Sequence, residues 1–195
     1  MMMLLVAARK ESDNAKRNLI RMEESKNYEE FEEHWRNYLN SIEKIWSKIE
    51  AQCNDSTKIP SNFHPWFGQQ KSLRRKDMLL RYLKQARNAD NHSIQDVAAI
   101  QKAHSTINFV KPGLGIINKL VIDNDQIQHY EGDPIAVNHY PEQIITVKVK
   151  NNGDWYNPPT SHLGEKIDSQ NPLEIAKLGI IFYENLINQA ELKLS

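Results

Sequence analysis

The sequence predicts a mainly α-helical bundle with a small antiparallel β-sheet inserted into it, α+β overall. Three observations carry that prediction. In the first half, apolar residues recur every three to four positions, as on the buried face of amphipathic helices. From about Ile107 to Trp155 the chain changes to β-branched runs separated by Pro-Gly, Asn-Asp, Gly-Asp-Pro and Asn-Asn-Gly punctuation. From Asn171 to about Leu192 the helical period returns. With 195 residues, 39% hydrophobic and 26% charged, the chain has the size and composition of one soluble globular domain. The expected organisation is a single domain over 1–195, with the bundle in 1–106 and 171–195 and the β-rich insertion in about 107–157.

Leu4 to Ser25 lacks Pro and Gly and is rich in Ala, Arg, Lys, Glu and Leu, which predicts a first helix. Asn27 suits the N-cap of a second helix starting at Tyr28. There Tyr28, Phe31, Trp35, Tyr38, Ile42, Ile45 and Ile49 step by three and four, and Leu39, Trp46 and Cys53 widen the stripe. Such steps fall on one helical face, so a long helix with a broad buried side is expected. Its aromatic residues have core packing as their expected role and a stacking platform for bases as the alternative. Asn54 to Pro65 is a break. Phe63-His64-Pro65-Trp66-Phe67-Gly68 reads as a short aromatic loop that either packs over the bundle end or lines a cleft.

Helix returns from Leu73 to His92, with Leu79, Tyr82, Leu83 and Ala86 on one face, and the pattern resumes after His92 through Ile94, Val97, Ala98 and Ile100. Ile107–Val110, Gly115–Ile122, Ile135–Val137 and Ile144–Val149 read as strands. Thr146, Lys148 and Lys150 alternate with Ile145, Val147 and Val149, the period of a half-exposed strand. Pro158-Pro159 ends the sheet. In the last helix Pro172 occupies the first turn. Ile175, Ala176, Gly179, Phe182, Tyr183, Leu186, Ile187 and Ala190 form its apolar face, and Gly179 marks a close approach to another helix.

Lys+Arg and Asp+Glu balance at 25 each, which argues against a general polyanion-coating protein and leaves room only for a local nucleic-acid patch. The balance hides segregation. Between Lys71 and Arg87 lie seven cations (Lys71, Arg74, Arg75, Lys76, Arg81, Lys84, Arg87) and one acid, Asp77. The second helix region carries Glu23, Glu24, Glu29, Glu30, Glu32 and Glu33. The basic helix therefore either pairs with the acidic one or faces phosphate. Cys53 is the sole cysteine, so there is no internal disulfide and no Cys-based zinc site, which suits the cytoplasm. The apolar opening Met1–Ala8 is too short and wrongly flanked for a signal peptide. No later stretch reads as a membrane span.

No phosphate-binding glycine loop, His-Glu-x-x-His or paired-Cys motif occurs, and no two of the seven histidines stand at ligand spacing on one helix. No cofactor and no metal are expected. What remains is Arg87 and His92. An arginine offers a fixed fork for phosphate oxygens, and a histidine gives or takes a proton near neutral pH. Together they form a minimal kit for metal-independent RNA cleavage. His92 would deprotonate the ribose 2′-hydroxyl or protonate the leaving 5′-oxygen, and Arg87 would stabilise charge on the phosphorus oxygens. Asn88 and Asn91 would orient the phosphate or the imidazole. Asp96, four residues past His92, would share its face if the helix continues. Arg81 and Lys84, earlier on the same helix, are the candidate substrate-binding cations. Positions five apart on a straight helix point about 140° apart. The pair converges if the helix breaks near Asn88–Asn91, if Arg87 reaches round, or if a second subunit completes the site.

Arg87, followed by Asn88, with His92 five residues on at the end of a basic helix in a helical frame, resembles the motif of the HEPN superfamily. That resemblance implies a helical bundle, dimerisation across the motif and, in many members, metal-independent endoribonuclease activity in toxin–antitoxin or phage-defence systems. The expected partners are then RNA, a second copy of the chain, and an antitoxin or regulatory protein. The alternative is a non-catalytic HEPN-like module that binds RNA, a nucleotide or an acidic protein. A third reading, a structural interaction protein, rests on the apolar seam of the second helix.

Overall fold

The structure, a computed structural model, describes residues 5–55, 59–92 and 95–194, apart from the side chains of residues 53–55, 91 and 92. The described residues form helices α1 (Val6–Glu24), α2 (Tyr28–Asp55), α3 (Phe63–Lys76), α4 (Met78–His92) and α5 (Pro172–Leu194), with short strands between Ala98 and Lys166. The class is mixed α+β. The chain divides into two compact units, Met1–Ile100 with Ile144–Ser195, and Gln101–Gln143.

In the first unit α2 packs against α1, α4 and α5. Its predicted stripe is core: Phe31, Trp35, Tyr38, Leu39, Ile42, Ile45, Trp46 and Ile49 are buried. Each large apolar side chain removed from water contributes about 1.5–3 kcal/mol, so this face outweighs the charged opposite face in placing the helix. Trp35 and Tyr38 stack on each other at 5.6 Å, which assigns them to packing and not to a base platform. Cys53 falls outside the described side chains. Asn27 caps the helix as expected, its Oδ1 accepting from the Glu30 N–H at 2.8 Å. Glu30 returns the contact by accepting from the Lys26 N–H at 3.1 Å.

The expected aromatic loop at Phe63–Gly68 is helical instead. Phe63, Trp66 and Phe67 are spaced for one helical face and are buried, and Phe67 stacks on Trp46 at 5.0 Å. Pro65 is tolerated because it lies in the first turn, where its missing N–H has no intrahelical partner to lose. The expected continuous helix from Leu73 to His92 is broken at Asp77. That residue is extended (ψ 132°), and its N–H closes α3 by donating to the Leu73 carbonyl at 2.8 Å. Its carboxylate accepts from the Leu80 N–H at 3.0 Å and so caps α4.

The expected helical resumption does not form over Gln95–Ile100, and its Ile94 lies outside the described residues. Val97 and Ala98 are buried, and their carbonyls accept from Trp35 Nε1 (3.3 Å) and Tyr28 Oη (2.6 Å). A continuing helix would have used those carbonyls internally. Instead β1 (Ala98–Gln101) leads out to β2 (His104–Phe109).

The second unit holds two nested antiparallel pairs. β2 runs against β5 (Ile135–Tyr140), from His104 opposite Tyr140 to Phe109 opposite Ile135. Inside them β3 (Ile117–Asp123) pairs with β4 (Gln126–Gly132). Their link is Asn124-Asp125, both at positive φ (49° and 60°), the backbone of a tight hairpin turn that Asn and Asp tolerate. At the return to the first unit, β6 (Gln143–Thr146) pairs with β1. β7 (Val149–Asn151) then pairs with β8 (Asp154–Tyr156), and β9 (Ser161–His162) with β10 (Glu165–Lys166). The expected small antiparallel sheet is thus a set of separate two-stranded pairs.

Candidate functional site

α4 ends at His92, so the sequence-predicted residues sit at a helix terminus. The half-buried Arg87 donates from Nε to Asn40 Oδ1 of α2 and from Nη1 to Asn88 Oδ1, each at 3.3 Å. Asn88 therefore touches Arg87 as a neighbour in the site would. One turn of helix away, Asp90 is ion-paired with Arg36 of α2. Arg36 also binds Glu32 (2.8 Å) and the Gln95 carbonyl (3.3 Å), which fastens the end of α4 to α2. The side chains of Asn91 and His92 lie outside the described residues, and with them the expected Arg87–His92 pairing. Asp96 is exposed in irregular chain beyond the helix end and does not share a helical face with His92.

Arg81 and Lys84 are elsewhere. They line an open cavity of ≈ 820 Å³ whose walls are α2, α3, α4 and the β7–β8 hairpin. Lys71, Arg74, Arg75, Arg81 and Lys84 converge on it, with Trp46, Tyr82, Trp155 and Tyr156 among its aromatic residues. Its acids are Glu50 and Asp154. The volume falls within the range of about 300–1,000 Å³ typical of small-ligand sites.

The pairing reading of the basic segment holds for two of its cations, through acids other than the Glu23–Glu33 group. Lys71 pairs with Glu50 at 2.5 Å, and Arg74 pairs with Glu43, so acids from the second half of α2 neutralise these two cations. Arg74 is 5% exposed. It also donates from Nε to Tyr183 Oη at 3.2 Å and lies 4.5 Å from the centre of the Trp46 ring. Burial disfavours its charge, but Tyr183 and Glu43 more than offset this and hold its pKa above the ordinary arginine value. Arg74 is therefore structural. Among the described residues, Arg75, Arg81 and Lys84 form no ion pair and are left to face solvent and any anion that enters.

The β7–β8 hairpin forms part of the same cavity wall. It turns at Asn152-Gly153, with φ of 51° and 90°, in the left-handed region that Asn and Gly accept. α4 and its following segment hold it in place. Tyr82 Oη donates to the Val147 carbonyl and Asn151 Nδ2 to Gln85 Oε1, both at 2.7 Å. The Gln95 amide exchanges two hydrogen bonds with the Lys150 backbone, at 2.8 and 2.9 Å. Burial pushes the Tyr82 phenol pKa upward, so it stays a neutral donor. Across the hairpin, Trp155 stands opposite Lys150. Lys148 and Lys150 place Nζ over its ring at 4.7 and 5.7 Å from the centroid, contacts worth about 0.5–1 kcal/mol each at an exposed position.

Sequence reasoning missed Trp155, Lys148 and Lys150 as a group. The signal was present. Alternating Lys148 and Lys150 followed by Asn-Asn-Gly and then Asp-Trp-Tyr is a hairpin pattern that sets Trp155 against Lys150.

Among the described residues no cluster of His, Cys, Asp or Glu is arranged to hold a metal ion. No described helix is long and apolar enough to cross a membrane. No protein-family model matches the chain, and no match was found among curated proteins or among solved structures.

Proposed function

We propose that this chain is an RNA-binding module of HEPN-like type that takes RNA phosphates on the basic wall of the α3–α4 cavity and works in the cytoplasm. One observation supports the reading above the others: Arg75, Arg81 and Lys84 converge without carboxylate partners on a cavity that also presents aromatic rings. Cations answer phosphate and rings answer bases, and both are needed to hold a nucleic acid. The test is binding of a labelled oligoribonucleotide over a salt series. Affinity should fall as salt rises, and Arg81→Ala and Lys84→Ala should each lower the slope of log K against log salt by about one. Salt-insensitive binding, or slopes unchanged in both variants, would reject the reading.

A second reading is a metal-independent endoribonuclease, in a toxin–antitoxin or phage-defence setting with an antitoxin or other regulatory partner. Two observations favour it: the described α4 runs to His92 with irregular chain by Gln95, and Asn40 and Asn88 hold the Arg87 guanidinium near that end. In that chemistry one imidazole takes the 2′-hydroxyl proton while the 2′-oxygen attacks phosphorus. The bond to the 5′-oxygen breaks, and a second proton goes to the leaving oxygen. A 2′,3′-cyclic phosphate and a 5′-hydroxyl result. A homodimer paired across the end of α4 would supply both imidazoles. RNA incubated with the protein and a chelator should be cut, and His92→Ala and Arg87→Ala should each abolish cutting. RNAs of several sequences left intact by the unaltered protein would exclude cleavage and leave the binding module.

A further inference from the structure

We infer that Trp155 is a base-stacking platform that makes the cavity selective for single-stranded RNA; the inference rests on the RNA-binding reading above. The four tryptophans are not equivalent. Trp35, Trp46 and Trp66 are buried, whereas Trp155 is 56% exposed at the cavity wall. An exposed indole is not explained by the core, to which it contributes nothing. It is also held firmly, because the hairpin beneath it is tied to Tyr82, Gln85 and Gln95. A ring fixed before the ligand arrives loses little conformational freedom on binding.

The surroundings select the ligand. Lys148 and Lys150 lie over the ring, and neither is ion-paired among the described residues. A base stacked on an aromatic side chain gains more than an exposed ammonium does on the same ring. A base would therefore displace the lysines, and the displaced ammonium groups would meet the phosphates on either side of it. Arg81 and Lys84, three positions apart on α4, face one way, as neighbours on a helix do, and add positive charge to the same cavity. The arrangement is a ring with cations over it and further cations along the same cavity, which fits a base flanked by phosphates. In a duplex each base face is covered by its neighbours, so only an unpaired base can use such a ring.

The experiment measures binding of one oligoribonucleotide as a single strand, of the same sequence annealed to its complement, and of adenosine monophosphate. Wild-type protein, Trp155→Ala and Trp155→Phe are compared at equal salt. Tryptophan emission should be quenched by the single strand in the wild type, and the quenched component should be missing in both variants. Trp155→Ala should lose about tenfold or more in affinity for the single strand, Trp155→Phe should lose much less, and duplex binding should be weak and equal in all three. Trp155 is exposed, so unchanged thermal unfolding of the variants verifies that the loss is local. If Trp155→Ala binds the single strand as the wild type does while Arg81→Ala weakens it, the platform is overturned and the RNA reading stands. Equal wild-type affinity for duplex and single strand, or for the mononucleotide and the oligonucleotide, also overturns the platform. If the wild type binds none of the three probes, both readings fall.

Discussion

Gly179 of α5 leaves room for the hydroxyl of Tyr38 on α2. A Cβ at Gly179 would stand 2.6 Å from Tyr38 Oη and 2.8 Å from Leu83 Cδ1 of α4. Tyr38 cannot swing away without giving up its 2.7 Å hydrogen bond to the Ala176 carbonyl. Three helices thus meet at a point sized for a hydrogen atom. Gly179→Ala gains up to about 1 kcal/mol in helix propensity, but overpacking costs about 1–3 kcal/mol. The variant should be destabilised on balance, with a lowered urea midpoint. A midpoint equal to or above the wild type would show that the contact is loose.

Arg74 is a second point of sensitivity. Arg74→Ala leaves Glu43 without its partner and Tyr183 Oη without its donor in a buried setting. Losing one member of a buried ion pair costs about 3–5 kcal/mol, whereas the exposed Lys166–Asp168 pair is screened by solvent. Denaturant titration of Arg74→Ala and of Lys166→Ala should show a large loss in the first and almost none in the second.

Acid should loosen the junction of α1 and α5. Glu191 Oε1 accepts from the Leu5 N–H at 3.0 Å and from Arg9 Nε at 3.2 Å. The Arg9 hydrogen bonds lower the Glu191 pKa most; burial opposes them, and the Leu5 N–H adds to the lowering. A carboxylate whose folded pKa is depressed contributes stability that is complete above its unfolded value. That stability is lost as pH falls through the folded value. Asp77 acts in the same direction: burial raises its pKa, but hydrogen bonds with His162, Leu163 and Leu80 outweigh it and leave the value lowered. Stability should therefore decline from about pH 5 downward. Glu191→Gln should start less stable at neutral pH and decline less steeply, as read from urea midpoints over a pH series. Parallel declines would remove Glu191 from the account.

The start of α2 depends on one side chain. Asn27→Ala removes the acceptor for the Glu30 N–H and should cost about 0.5–2 kcal/mol, with Asn27→Asp or Asn27→Ser close to wild type. Thermal unfolding of the three variants checks the order.

Much of the helical frame was legible because its signal is long. Seven positions of α2 repeat the step of three and four, and local propensity cannot mask so extended a pattern. Shorter signals were decided by contacts that sequence does not display. Val97–Ile100 is too brief to distinguish a helix from a strand; Trp35 and Tyr28, about sixty residues or more earlier, settle it by claiming carbonyls. The break at Asp77 rests on one capping carboxylate. At the site, the basic run itself could be read, but not which cations stay unpaired. That is set by Glu43 and Glu50, whose reach depends on how α2 lies beside α3. Arg81 and Lys84 stand on the same helix as Arg87, yet they line the cavity, whereas Arg87 is turned to Asn40 of α2.

Where the chain leaves for the nested β pairs and where it comes back, Gln143 Nε2 donates to Gln101 Oε1 at 2.8 Å. Adjacent entry and exit make this a graft point. Chain can be added or removed beyond it without changing the distance that the bundle must span. The Gln101–Gln143 unit is therefore the place where an engineer could change chain length at least cost to the bundle.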